Sequence, residues 1–190
     1  MIYNLRDFVE VRAGHPFRGK IHEKQNGNSF VIQIRDIDEQ HEVNWETLIP
    51  TDISGSKEPN WLQSGDILFT ARGRHNVAAF IESTPVDVVA AQHIFILRIK
   101  SLEKILPEFL VWQINQKSAQ NYFKINAEGS LQLSIRKSVL ENLPIELPCI
   151  EKQRAIAGFY SKVKQEKRVL KALIKNREDQ MQKIANNILS

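Results

Sequence analysis

Residues 70–76, TARGRHN, concentrate two guanidiniums, an imidazole and an amide in five positions between two apolar runs. Such a set can read a nucleic acid. An Arg fork matches the O6 and N7 acceptors of guanine, an Asn amide matches adenine, and Gly73 lets the backbone come close to a groove. The same composition also suits an exposed hairpin with a charged tip. A second stretch, residues 127–137, AEGSLQLSIRK, alternates polar Ser130, Gln132, Ser134 and Arg136 with apolar Leu131, Leu133 and Ile135. One of its faces can pack while the other meets phosphates or base edges. It reads equally as a half-exposed strand running into a helix cap at Ser134. The candidate DNA contacts are therefore Arg72, Arg74, Asn76, Gln132, Ser134, Arg136 and Lys137, with Lys20 and Gln92 as outlying members.

Other chemistries find no support. Gly14 to Lys20 follows the spacing of a phosphate-binding loop, but Ile21 stands where a Ser or Thr would hold Mg²⁺, and Pro16 removes an amide from the cradle. A turn presenting Arg18 and Lys20 is the better reading. There is no Gly-rich dinucleotide fingerprint, no Asn-Pro-Pro-Tyr/Phe segment of an amino-methyltransferase, and no Asp/Glu-x-Lys triplet of a common nuclease class. The histidines (His15, His22, His41, His75 and His93) show no metal-ligand spacing. Trp45, Trp61 and Trp112 read as core or rim aromatics, and Cys149 as a small buried side chain. The sequence thus predicts no catalytic residue, no metal site and no cofactor held by this chain.

The elements that must carry these loops change character along the chain. Short apolar runs at Phe30–Ile34, Glu42–Leu48, Asp66–Ala71, Val77–Ile81, Asp87–Ala91 and His93–Ile99, separated by turn residues, predict a curved antiparallel or mixed sheet. Helical spacing begins at Pro107, where Phe109, Leu110, Trp112 and Ile114 should face inward, and resumes over Ala119–Ile125 and Arg136–Leu140. Residues 142–148 should be extended, because Pro144 and Pro148 keep them out of a helix. The fold class expected is α+β: residues 1–149 form the sheet domain with short helices, and residues 150–190 one long coiled-coil helix.

That last segment holds no Pro and only Gly158 as glycine. Ile156, Val163, Leu170, Arg177 and Ile184 alternate with Tyr160, Lys167, Ile174, Met181 and Ile188 in the a/d pattern of a coiled coil, interrupted by Lys167 and Arg177. A helix of about 38 residues would be about 57 Å long and could not bury this stripe within the chain, so it calls for a partner helix. The segment carries ten Lys and Arg against four Asp and Glu, leaving 16 against 18 in residues 1–150. The overall pI of 9.2 is therefore weak evidence for DNA, and a DNA surface on the sheet domain must come from local clustering. The single Cys and the lack of any long apolar run suit a cytoplasmic protein.

Residues 129–156, GSLQLSIRKSVLENLPIELPCIEKQRAI, resemble the signature of type I restriction–modification specificity subunits. In that family a Gly-Ser-x-Gln loop precedes a short helix, an Ile/Leu-Pro strand, a Glu-x-Gln helix start and a long conserved-region helix. WLQSGDILFTARG, VAAQHIFILRI and ILPEFLVWQIN extend the resemblance over nearly the whole chain. Two departures stand out: one recognition domain and one helix where the usual subunit has two of each, and Cys149 where another Pro is common. The resemblance implies a domain that reads half of an interrupted DNA site and a helix that sets spacing. It implies adenine-N6 methyltransferase subunits as partners, joined in some assemblies by a restriction subunit, with S-adenosylmethionine bound by the methyltransferase. The half length and the unpartnered heptad stripe predict a homodimer, formed by antiparallel pairing of the 151–189 helices through Ile156, Tyr160, Val163, Leu170, Ile174, Met181, Ile184 and Ile188. A dimeric coiled-coil regulator or adaptor without a methyltransferase partner is the alternative reading.

Overall fold

The computed structural model describes residues 2–53, 58–73, 76–129 and 133–189. Along the chain run β1 (Ile2–Asn4), β2 (Val9–Ala13), β3 (Ser29–Ile32), β4 (Ile49–Thr51), β5 (Ile67–Thr70), β6 (Ala78–Phe80), β7 (Val88–Ala90) and β8 (Ile94–Ile99). Then come α1 (Pro107–Ile114), α2 (Lys117–Asn126), α3 (Lys137–Glu141), β9 (Pro144–Glu146) and α4 (Ile150–Leu189). The class is α+β with mixed sheets, as the sequence predicts.

The continuous apolar run of β5 places it at the centre. A strand buried on both faces has no polar side to alternate with, and all of Ile67, Leu68, Phe69 and Thr70 are buried. β5 sits in a four-stranded antiparallel sheet of order β2-β8-β5-β6. Ile67 and Phe69 join Leu97 of β8 on the face covered by Phe109, Leu110 and Ile114 of α1 and Phe123 of α2. Leu68 and Ile96 point the other way, onto Ile32, Val88 and Ala90 of the second sheet. In that sheet, of order β4-β3-β7, β3 runs antiparallel to β4 and parallel to β7. The Phe69 and Phe123 rings lie 4.9 Å apart; truncating either to Ala would cost about 3–5 kcal/mol.

Two segments depart from the expected elements. Glu42–Leu48 is not a strand: Trp45–Thr47 forms a short 3-10 turn, its Asn44 cap accepting from the Glu46 amide at 3.1 Å. The buried Asp36 accepts from the Gln33 amide and the Thr47 hydroxyl, so local side-chain bonds override the alternation of Val43, Trp45 and Thr47. The chain start, in contrast, contributes two strands that turn signals did not mark. β1 pairs with β9, bringing Asn4 opposite Pro144, and so ties the beginning of the chain to the entrance of α4.

The three tryptophans are half-buried, and each borders an apolar cluster. Cys149 is exposed rather than buried. Among the described residues, no helix is long and apolar enough to cross a membrane.

Candidate nucleic-acid interface

The two polar loops, some sixty residues apart in sequence, lie side by side. The neck of the first is closed by a backbone bond from Thr70 N to Val77 O (2.9 Å), by the Val77 amide donating to Thr70 Oγ1 (2.8 Å), and by Asn76 Nδ2 donating to Thr70 O (2.8 Å). α2 props the same loop from below, because Gln120 Nε2 donates to Asn76 O at 2.8 Å. Beyond the neck Gly73 adopts φ = 125°, in the region that favours glycine. The second loop folds back on itself through reciprocal bonds between Glu128 and Ser134 (3.0 and 2.9 Å). It then pairs with the first: Arg72 and Ser134 form an antiparallel bridge. Ile135 N donates to Ala71 O (2.8 Å) and Gly73 N to Leu133 O (3.3 Å).

This pairing gathers most of the expected residues. Arg72, Arg136 and Lys137 are exposed, with Ser134 between them. Arg136 pairs with Glu128 at 2.8 Å and Lys137 with Glu141 at 3.6 Å, both on the surface. Gln92 is exposed and lies 3.3 Å from His93, whose carbonyl accepts from Ala71 N at 2.9 Å. Burial, reinforced by the Arg72 charge, holds the His93 imidazole below its ordinary pKa. His93 is thus a member of the surface that spacing could not reveal.

Others stand differently. Asn76 is buried, and its amide bonds the Thr70 carbonyl, so it shapes the loop rather than facing outward. Lys20 is exposed at a separate groove of about 310 Å³ shared with Gln33 and Arg35. Gly14, the first residue of the phosphate-loop look-alike, serves close packing: a Cβ there would fall 2.1 Å from the Ala91 carbonyl oxygen. Ser134 does not cap a helix, since α3 starts after Arg136. Arg74 and Gln132 lie outside the described residues. Among the described residues, no three His, Cys, Asp or Glu side chains are grouped to hold a metal.

The second feature is α4, 40 residues long, which at about 1.5 Å per residue spans about 60 Å. Its start is pinned by fully buried Gln153, the third residue of Glu151-Lys152-Gln153. Gln153 Oε1 accepts from Leu106 N (3.0 Å), and Nε2 donates to the carbonyls of Lys104 and Pro148 (both 2.9 Å). One turn later Ile156 packs against the main core. Burial pushes the Tyr160 hydroxyl above its ordinary pKa, with Asn115 opposing and the Glu42 charge adding.

The first part of the apolar stripe therefore finds a mate inside the chain, contrary to expectation: Ile156, Tyr160 and Val163 are half-buried beside Trp112. Leu170, Ile174, Met181, Ile184 and Ile188 remain 51–77% exposed. Further along the docked part, Lys164 and Arg168 reach Glu42 Oε1 at 2.8 and 2.9 Å, and Lys171 reaches Glu39 at 2.9 Å.

The fold of this chain is shared with solved specificity subunits. The S subunit of a type I restriction–modification system from M. genitalium matches at 15% identity and TM-score 0.62, over 92% of this chain and 41% of its own. A structure described as underlying complex assembly and conformational transition of the type I R-M system matches at 16% and 0.65, over 97% and 43%. The HsdS subunit from Thermoanaerobacter tengcongensis matches at 19% and 0.56, over 91% and 39%. These likenesses establish the fold, and the chain spans about two fifths of each of those proteins. Comparison with curated proteins finds no match. The family model described as "Type I restriction modification DNA specificity domain" matches residues 1–177, and the chain belongs to that family.

Proposed function

We propose that this chain is a DNA-specificity component of a type I restriction–modification assembly, without catalytic chemistry of its own. Residues 1–149 read one half of an interrupted site, and residues 150–190 form the helix that sets the distance to the other half. The carrying observation is the backbone pairing of the two polar loops, which unites Arg72, Ser134, Arg136 and Lys137 on one surface next to Gln92 and His93. Backbone-held loops with exposed Arg and Lys suit groove reading with flanking phosphate contacts. Arg74 and Gln132 belong to the same two loops and complete the proposed face, while Lys20 makes an outlying phosphate contact. Asn76 acts here as the brace of the first loop.

The exposed half of the stripe, Leu170 to Ile188, supports an antiparallel helix pair with a second copy of this chain. Adenine-N6 methyltransferase subunits dock on the assembly and bring S-adenosylmethionine, and a restriction subunit binds where cleavage is supported. The site of action is the cytoplasm, where the DNA is. Two copies related by a two-fold axis must read two inverted copies of one short half-site, with centres about 34 Å apart.

The test is to co-express the chain with a methyltransferase subunit and map methylation by single-molecule sequencing. An interrupted palindrome with one methyl-adenine per strand is the expected result. An asymmetric bipartite motif would replace self-pairing by pairing with a different specificity chain. A contiguous motif, or DNA binding that never recruits a methyltransferase, would refute the proposal and favour a dimeric regulator.

A further inference from the structure

Three basic residues on α4 are engaged in ion pairs rather than merely solvated. Lys164, Arg168 and Lys171 recur at helical spacing on one face, and all three meet the acidic tip formed by residues 38–42. That tip is preorganised. Asp38 Oδ1 accepts from the amides of Gln40 (2.8 Å) and Glu42 (2.9 Å), Asp38 N donates to Glu42 O (2.9 Å), and His41 takes φ = 62° to close the turn. Two cations share Glu42, and the Lys164 side chain is only 18% exposed. A shared, partly desolvated carboxylate in a network outweighs an isolated surface pair.

Position gives the cluster its importance. The contacts that root α4, Gln153 to Tyr160, lie within about 15 Å of its first residue, whereas Lys164 to Lys171 lie about 21–32 Å along it. A tilt of about 6.5° about the root displaces a point about 30 Å away by about 3.4 Å, the rise of one base pair. Contacts near a pivot restrain such a tilt poorly, and contacts far out restrain it well.

We propose that the Glu39/Glu42 tip and the Lys164/Arg168/Lys171 face form an ionic latch that fixes the recognition domain's angle on α4 and so determines which spacer length between half-sites is accepted. This rests on the function proposed above. The latch contributes no base contact. It selects among sites that carry the same two half-sites at different separations.

The experiment compares the unmodified protein, Glu39→Lys/Glu42→Lys, and that variant combined with Lys164→Glu/Arg168→Glu/Lys171→Glu, each in complex with a methyltransferase. Methylation is mapped on a library in which the spacer varies by single base pairs. The unmodified protein should accept one spacer. The reversed variant should keep the half-site sequences and raise modification at spacers one pair longer or shorter by about fivefold or more relative to the best one, on the scale of a few weak ion pairs. Restoring opposite charges should restore the single spacer. The uncharged pair Glu39→Gln/Glu42→Gln, which introduces no repulsion, should fall between.

An unchanged spacer profile, altered half-site preference, or no recovery in the compensated variant would overturn the latch. Small-angle scattering of the protein without DNA separates this from failure of the functional reading. Breaking the latch should broaden the distribution of interatomic distances in low salt, and so should raising the salt for the unmodified protein. Identical scattering profiles overturn the latch even if no methylation can be read. A contiguous motif from the unmodified protein overturns the functional reading, while the scattering result still decides the latch.

Discussion

Replacing Gln153 by Ala should uncouple α4 from the sheet domain at its root. The side chain is fully buried and makes three hydrogen bonds to backbone groups of residues 104, 106 and 148. Its removal leaves the Leu106 amide without an acceptor, at a cost of about 1–3 kcal/mol, and deprives two carbonyls of a donor at a smaller cost each, because a carbonyl has a second lone pair. With the void left by four heavy atoms, a loss of about 3–5 kcal/mol is expected. At about 2–4 °C per kcal/mol for a chain this long, the melting temperature should fall by about 10 °C, measured by circular dichroism at one fixed protein concentration. Gln153→Glu retains the acceptor but turns a carboxylate oxygen toward the carbonyls of Lys104 and Pro148, so it should melt no higher than the Ala variant. An Ala variant within about 2 °C of the unmodified protein would refute the view that these bonds root the helix, and a Glu variant that matches the unmodified protein would refute the donor half of the argument.

Three further outcomes are expected. Arg72→Ala should lose about 1–3 kcal/mol of discrimination at one base position, whereas Lys137→Ala should weaken all sequences alike and flatten the salt dependence by about one unit; equal effects on cognate and random DNA from both would misassign Arg72. His93, whose imidazole burial and the Arg72 charge hold below its ordinary pKa in the free protein, should bind a proton more readily beside phosphates, so DNA affinity should rise as pH falls from about 8 to 6 and lose that dependence in His93→Ala. Without DNA the same lowered value makes folding stability decline as pH drops below about 6.5, because the unfolded chain then binds the extra proton; a pH-independent affinity would remove His93 from the interface. Ile174→Asp, on the exposed stripe, should convert a species of about twice 21.9 kDa in light scattering to a monomer, by placing a charge in the seam; a monomeric parent protein would remove the dimer from the proposal.

Local patterns announced the elements that local physics decides. The Pro at the first position of α1, the unbroken apolar run of β5 and the heptad of α4 each carry their own signal. Glu42–Leu48 misled because Asp36 and Asn44 offer the backbone better partners than a ladder does, and such a choice depends on a carboxylate six or more residues upstream. The two polar loops were visible one at a time, but their union rests on the pairing of Arg72 with Ser134, a long-range contact that no spacing rule reports. Asn76 carries the chemistry of a base reader and the burial of a brace, and only its hydrogen bond to Thr70 separates the two. The basic excess of α4 was legible in composition, whereas the acidic counterpart of Lys164, Arg168 and Lys171 lies 122 residues or more away in sequence.

The way the two loops are joined bears on how such a surface can diversify. Among the described residues, the bonds that join them around Ala71, Gly73, Leu133 and Ile135 run between main-chain atoms, and the neck beneath them is closed by Thr70, Asn76 and Val77. Side chains at the tip can be exchanged while this frame, and the core below it, keeps its register. On the function proposed above, substitutions at the exposed side chains would change the sequence read while leaving the frame's main-chain bonds in place, and Gly73, at φ = 125°, belongs to the frame rather than to the exchangeable set.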